Sequence, residues 1–373
     1  MKRLRLLSFA LYDAGETILG ALLFSTLYPL YITQHIDVKT YSLFYGFTFL
    51  ISFFVALHIS RVADQRAIRK PFFILFSLSI VALCLLLFLT FEKAKLNFFL
   101  YLLLALFHQQ ALIFYNSLLR SFEKRGSASG FGVAFGYVGS AFALILLAPR
   151  LSLPHAFLWL ALTFFLFCLP SIFLLPEPPE RQRVNLKEVL KDKSFLLVLL
   201  SMLLLMELAH TMIAMMGVYL RDVYGFGREE VYRVIGFSAF GGIFGGVLWG
   251  RLADKLSAER LFPLGFFLWS ILLISLYFAP KALVLLVGLL AGFSLAHLWT
   301  ISRVFLIEKF AKGDVAVRFS FYSLSERIAS SFGLFAWSFF LYATGNNYKL
   351  SALLMLVFPL LGFFLHSLSN RRL

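Results

Sequence analysis

Charge is what this sequence has least of. Only 14% of its residues are Asp, Glu, Lys or Arg, against 61% hydrophobic ones, and no water-soluble domain covers its surface with so little. Cysteine is nearly absent. Cys84 and Cys168 are the only two, both inside apolar runs, so no disulfide framework is suggested and the redox compartment is not readable. There is no GxxxxGK[ST] loop to cradle phosphates, which leaves ATP-driven pumping by this chain unsupported. GxSxG, HExxH and CxxC are missing too, so the chain reads as no enzyme and calls for no cofactor.

Long apolar runs take the place of these motifs. Twelve are expected to cross a bilayer as helices, near 7–33, 40–60, 71–91, 96–119, 128–148, 154–176, 195–220, 230–250, 261–279, 282–303, 316–342 and 349–368, each about 20 residues or more and so able to span ~30 Å of hydrocarbon. Their unbroken apolarity excludes a barrel, whose strands alternate. Lys2, Arg3 and Arg5 precede the first run, but Asp13 and Glu16 interrupt it and no small-residue cleavage site follows; an uncleaved first span is expected.

The formal charge of +15 could suggest nucleic acid. Its distribution says otherwise. Basic residues crowd the loops on one side, as in Arg61, Arg66, Arg69 and Lys70, then Arg120, Lys124 and Arg125, then Arg251, Lys255 and Arg260. That is the positive-inside pattern of a multi-pass protein in a cytoplasmic (inner) membrane of a prokaryote, with both termini cytoplasmic. Its partners are then the lipid bilayer and a small solute, not nucleic acid, and a monomer is expected.

One polar, proline-marked stretch, PEPPERQRVNLKEVLKDKS from Pro176, divides the chain. The expected organisation is an N-terminal six-helix half (1–176), a cytoplasmic linker (177–194) and a C-terminal six-helix half (195–373). The halves repeat. Arg61-Val-Ala-Asp64 matches Arg251-Leu-Ala-Asp254, and ALIFYNSLLRSFEK from Ala111 overlays AHLWTISRVFLIEK from Ala296, with Glu123-Lys124 on Glu308-Lys309. Repeated six-span halves are the plan of major facilitator transporters.

GRLADK from Gly250 resembles the major facilitator signature, in which a Gly stands four residues before an Asp. The first copy, SRVADQRAIRK, has Ser60 in that place and shifted basic residues. An Asp at such a helix end can accept hydrogen bonds from a neighbouring helix N-terminus or pair with Arg. Asp64, Arg120, Asp254 and Arg303 are therefore candidate residues of a cytoplasmic gate, the plainer reading of each acid being a solvated loop charge. Tyr12-Asp13, FYNSLL from Phe114, SGFGVAFGYVGS from Ser129, Ser302-Arg303 and FSFYSLSERIASSFG from Phe319 are similar to the vacuole-effluxer-like branch, which includes the fungal autophagy-linked vacuolar amino-acid exporter. The resemblance implies an exporter of amino acids or similar solutes. Two departures add carboxylates: Glu16 ends what is usually Tyr-Asp-Trp-Ala-Asn, and Glu326-Arg327 replaces a usual Gly-Lys.

Asp13 and Glu16 lie one turn apart on one helix face, Asp13 roughly 10 Å from the expected cytoplasmic end. A carboxylate facing lipid is costly. The two are expected to face a water-filled cavity and hold a proton or cation, unless the span begins later and they cap it. Glu207, roughly 18 Å into span 7 and so near the midplane, shares a face with His210, and the two could relay a proton or merely glue helices. Tyr115 and Asn116, with His108, Gln109 and Gln110 beside them, and His297, Trp299 and Thr300 fit a cavity lined by spans 1, 4, 7 and 10. A lone His58 or His297 reads as packing. Arg327 is the internal counter-ion for one acid.

The expected mechanism is proton-coupled export or exchange of a small polar solute. Two alternatives stay open at this level. Asp13, Glu16, Glu207 and His210 could instead ligate a divalent metal cargo, or the chain could be a scaffold or sensor that transports nothing. Gly132 and Gly136, and Gly242, Gly246 and Gly250, stand four apart and are expected to let backbones approach closely.

Overall fold

A computed structural model describes residues 2–148, 150–181, 184–311 and 313–370, without the side chains of 38, 39, 228, 232, 329–331 and 370. Residues 182 and 183 of the expected linker and the basic tail at 371–373 lie outside the described residues. Twelve long helical stretches follow one another among those described, with a short helix at Leu186–Lys191 between the sixth and the seventh, and no strand does. They are α1 (Lys2–Ile32), α2 (Val38–Arg66), α3 (Arg69–Leu89), α4 (Ala94–Ser121), α5 (Arg125–Leu147), α6 (His155–Leu174), α7 (Lys193–Tyr224), α8 (Arg228–Leu256), α9 (Ala258–Phe278), α10 (Lys281–Lys309), α11 (Val315–Ala343) and α12 (Tyr348–Ser369). Eleven of them, α11 apart, are long and apolar enough among the described residues to cross a membrane.

Seven helices cover their expected apolar runs and several continue past them, while α1, α3, α5, α6 and α9 stop one or two residues short at an end. α2 reaches Arg66 and α8 reaches Leu256, because hydropathy marks only the part suited to hydrocarbon while backbone hydrogen bonding carries the helix on into polar surroundings. The ends have local causes. Asp37, Asp192 and Asn347 accept from the amides of Thr40 (2.9 Å), Phe195 (2.9 Å) and Leu350 (3.0 Å) and so start α2, α7 and α12, each satisfying an otherwise orphan N–H. Gly225, at φ 67°, ends α7 in the left-handed region that favours glycine. Large side chains such as Phe54, Phe244 and Phe335 stay more than half exposed on the helix surfaces, a surface suited to lipid rather than water. This is a multi-pass membrane protein.

The repeat seen in the sequence recurs in space. α1 packs on α6 as α7 does on α12, α2 on α4 as α8 does on α10, and α3 on both α4 and α6 as α9 does on α10 and α12. A positive φ follows the repeated Asp in both copies, 51° at Ala67 and 68° at Ser257. By contacts the chain forms two compact units. The first comprises residues up to Val184 together with Ala311–Ser323; the second comprises Asn185–Phe310 and the residues from Leu324 onward. These differ from the expected halves, since the start of the linker and the first turns of α11 pack with the first unit. α11 thus begins in one unit and continues in the other.

Candidate functional site

In the first unit α1 and α5 lie backbone to backbone. A Cβ on Gly132 would collide with the Asp13 carboxylate, one on Gly136 would stand 3.0 Å from Thr17 Oγ1, and one on Gly139 would stand 2.8 Å from the carbonyl of Ala14. The glycine row therefore does what its spacing suggests. Asp13 is buried against it. Tyr115 donates its hydroxyl to the carbonyl of Phe9 (2.8 Å) and stacks on Phe9 and Tyr12, with centroids at 4.1 and 4.4 Å. Asn116, the next residue, is half-buried.

Glu16 turns elsewhere. Its Oε1 stands 3.0 Å from His108 Nε2 of α4, a close contact not aligned as a hydrogen bond, and both side chains are largely buried. The expected proximity of Asp13 and Glu16 along α1 is thus resolved into two environments, Asp13 at the glycines of α5 and Glu16 at the imidazole of α4. Gln110 donates to the carbonyl (2.9 Å) and hydroxyl (2.8 Å) of Ser52, and Gln109 accepts from Ser323 at 3.1 Å.

At the other polar centre of this unit Asp64 is fully buried. It accepts from the amides of Ala316 (3.2 Å) and Val317 (3.0 Å), the first turn of α11, where orphan N–H groups and the helix dipole favour an anion. Arg69, also fully buried, donates through Nε to Asp64 at 2.7 Å. Its Nη1 reaches Glu177 (3.2 Å) and the carbonyl of Pro178 (3.1 Å), and its Nη2 reaches the carbonyls of Glu180 (2.9 Å) and Gly313 (2.8 Å). That matches the five N–H donors of a guanidinium. Glu177 also accepts from the amide of Lys70 at 2.5 Å, and Arg120 pairs with Glu180 at 3.2 Å. Arg69, Glu177 and Glu180 were not singled out from the sequence. The available signal was two carboxylates in PEPPE facing a basic loop, which is too common a pattern to name partners.

In the second unit Glu207 is 1% exposed, halfway along α7. Gly333 of α11 covers it: a Cβ there would collide with Thr211 Oγ1, and would stand 2.5 Å from the Glu207 carbonyl and 3.1 Å from its Oε2. Thr211 bonds back to that carbonyl at 2.7 Å. His210, half-buried, sets its ring 5.7 Å from Trp299 of α10 and lies in the field of Arg327. Glu207 Oε2 and His210 Nε2 are each without a hydrogen-bond partner among the described residues. The expected proton-sharing pair on α7 is therefore not formed in this structure. Glu326 and Arg327 are half-buried on α11.

His297 is the packing residue expected of it, bonded to the carbonyl of Leu261 at 2.9 Å and edge-on to Trp249. Arg303 is buried, its Nε on the carbonyl of Trp299 at 3.1 Å. Asp254 is exposed. Among the described residues no three of His, Cys, Asp or Glu gather closely enough to hold a metal ion. A groove of about 600 Å³ between α8 and α10 is lined by Phe, Leu and Gly side chains and offers nothing to a polar solute.

Two six-helix repeats, buried acids in the first helix of each, and an acid at a helix N-terminus together define a membrane transporter fold. The chain belongs to the Major Facilitator Superfamily, whose family model matches residues 6–257 and 234–372. It is 55% identical over 365 residues, 98% of this chain and 97% of the other, to an uncharacterized protein of Aquifex aeolicus (strain VF5). Among solved structures it is similar to a bacterial homologue of the iron transporter ferroportin in an outward-facing state (18% identity, TM-score 0.76, 100% and 99% of the two chains). It is also similar to the E. coli fucose:proton symporter (13%, 0.77, 98% of each) and to the human organic anion transporter MFSD10 (14%, 0.75, 98% of each). At such identities the likeness is one of fold. These neighbours are transporters and not enzymes. The match is to the superfamily and does not distinguish the vacuole-effluxer-like branch.

Proposed function

We propose that this protein is a proton-coupled secondary transporter that exports or exchanges a small polar solute, an amino acid or related compound, by alternating access. The observation that carries the reading is Glu207: a carboxylate near the middle of a membrane-spanning helix, 1% exposed, with one oxygen lacking a partner. A buried acid of this kind is costly to keep in a membrane and finds its use in binding a proton or a cationic group. The solute class rests on the resemblance to vacuole-effluxer-like exporters, with Asp13, Glu16, Tyr115, Asn116, His210, Glu326 and Arg327 as further groups on its path. Asp64, with Arg69 and Arg120, is the gate of the first unit, since it holds the first turn of α11; Asp254 and Arg303 are its counterparts in the second. The protein acts as a monomer in the inner membrane with both termini cytoplasmic.

Proteoliposomes loaded with isotopically labelled amino acids test this, with efflux followed by mass spectrometry with and without a pH gradient. Gradient-accelerated loss of one group of amino acids, abolished in a folded Glu207→Gln variant, is the expected result. Retained gradient dependence in that variant removes Glu207 from the coupling, and no efflux from folded wild-type protein removes the cargo assignment.

A further inference from the structure

Ahead of α7 the chain makes a short helix, Leu186–Lys191. Asn185 starts it by accepting the amide of Lys187 at 3.1 Å, and Asp192, directly after it, starts α7 by accepting the amide of Phe195 at 2.9 Å. A single residue thus separates this helix from a membrane span, which sets it at the depth of the lipid headgroups, on the side whose loops carry the basic residues. Its register is amphipathic. Leu186 and Leu190 stand one turn apart and so do Lys187 and Lys191, while Glu188, two residues from each leucine, falls on the other side. Val189 is buried and the helix packs on α7. Leu190 is 53% exposed, and Lys187, Lys191 and Lys193 are exposed beside it.

The segment's own acids do not occupy these lysines. Glu188 takes the side-chain amide of Asn185 at 3.0 Å and Asp192 caps α7. Elsewhere cations are spent on carboxylates, as in Arg120 on Glu180 at 3.2 Å and Lys309 on Glu259 at 2.8 Å. From 181 to 193 the sequence holds five basic residues, Arg181, Arg183, Lys187, Lys191 and Lys193, against these two acids. Topology alone accounts for positive charge on this side. It does not account for the register. An exposed leucine one turn from another, flanked by lysines whose long stems can follow an apolar surface while their heads stay in water, suits a boundary that is apolar below and anionic above. A bilayer containing acidic phospholipid presents that boundary.

We propose that Leu186–Lys191 is an interfacial anchor that binds anionic phospholipid: Leu190 enters the acyl edge of the headgroup layer, and Lys187, Lys191 and Lys193 hold the phosphates. A lysine meets a phosphate as a compact point charge, so the attraction falls as salt rises, whereas the leucine's share does not. Each lysine near such a surface strengthens binding by roughly fivefold. The anchor holds whether or not the chain couples transport to protons, since it uses none of the groups assigned to the solute path.

The test titrates the purified full chain with phosphatidylglycerol and, separately, with phosphatidylcholine of the same acyl chains, counting bound lipids by native mass spectrometry. The wild type should prefer phosphatidylglycerol. Replacing Lys187, Lys191 and Lys193 by Gln should weaken phosphatidylglycerol binding by at least about fivefold and leave phosphatidylcholine binding unchanged, while replacing the same three by Arg should keep the preference, because charge and not residue type carries it. Lys93→Gln with Lys95→Gln removes charge from the exposed turn between α3 and α4 and should keep the preference as well. Thermal unfolding shows that each variant is folded, and should the triple Gln variant not fold, Lys191→Gln alone decides through a smaller loss of the same sign. Absence of a preference in the wild type, its persistence in the folded Gln variant, or an equal loss in the Lys93 and Lys95 variant overturns the assignment.

Discussion

Asp64 and Asp254 occupy matching places in the two repeats, each three residues after an Arg, each followed by a residue at positive φ, Ala67 or Ser257. One is fully buried and the other exposed. Five residues past Asp64 stands Arg69, which ties it to the linker and to the loop before α11. The equivalent position past Asp254 is Glu259, which pairs with Lys309 at 2.8 Å, and Glu308 beside it accepts the amide of Ala258 at 2.9 Å. Reversing one charge sends the two copies of a single motif to different partners. The first helices of the repeats diverge in the same way, Glu16 reaching an imidazole on another helix while Glu207 packs under a glycine of α11.

Removing Arg69 should break this contrast most sharply. Arg69→Ala leaves Asp64 buried without its cation and strips the linker of its anchor, and a cost of about 3–5 kcal/mol is expected for such an uncompensated buried charge. Asp254→Asn, at an exposed site, should change stability by no more than about 0.5 kcal/mol. Thermal unfolding of the purified variants compares them directly, and equal melting temperatures would refute the keystone role of Arg69.

Glycines sharpen the comparison at the level of packing. Gly132→Ala must push the Asp13 carboxylate aside, with an expected cost of about 1–3 kcal/mol. Gly236, inside α8, has nothing within 4 Å of an added Cβ, so Gly236→Ala should stabilise by about 0.5–1 kcal/mol through reduced chain entropy. The signs should be opposite in a chemical-denaturation series.

The smallest effect belongs to Glu123, whose carboxylate Lys2 holds below its usual range through an exposed 2.8 Å contact. A depressed carboxyl contributes above its unfolded value and loses that contribution as pH falls through the folded one. Exposure and salt screening make the contribution small, so Glu123→Gln should melt with the parent at neutral pH. A clear loss there would show that this pair matters more than its exposure allows.

The spans, the repeat and the glycine row of α5 as a packing element were legible in the linear chain, because a bilayer demands about twenty apolar residues per crossing and close helices demand small side chains. Asp64 as a helix-terminus acid was legible for the same kind of reason, one residue type suiting one backbone feature. Its partner Arg69 was not, since the fold draws Asp64, Glu177, Pro178, Glu180 and Gly313 to one guanidinium from three distant parts of the chain. Spacing along α1 suggested that Asp13 and Glu16 work together, and spacing along α7 suggested the same of Glu207 and His210. Periodicity fixes which residues share a face but not what that face meets. The sequence by itself determined the all-helical membrane architecture, its internal repeat and the acids that would have to be accommodated, because hydrocarbon tolerates so few alternatives. Only the tertiary structure decided that Glu16 meets His108, that Glu207 lies under Gly333 and that Arg69 binds the linker, since each depends on how neighbouring helices are rotated and packed.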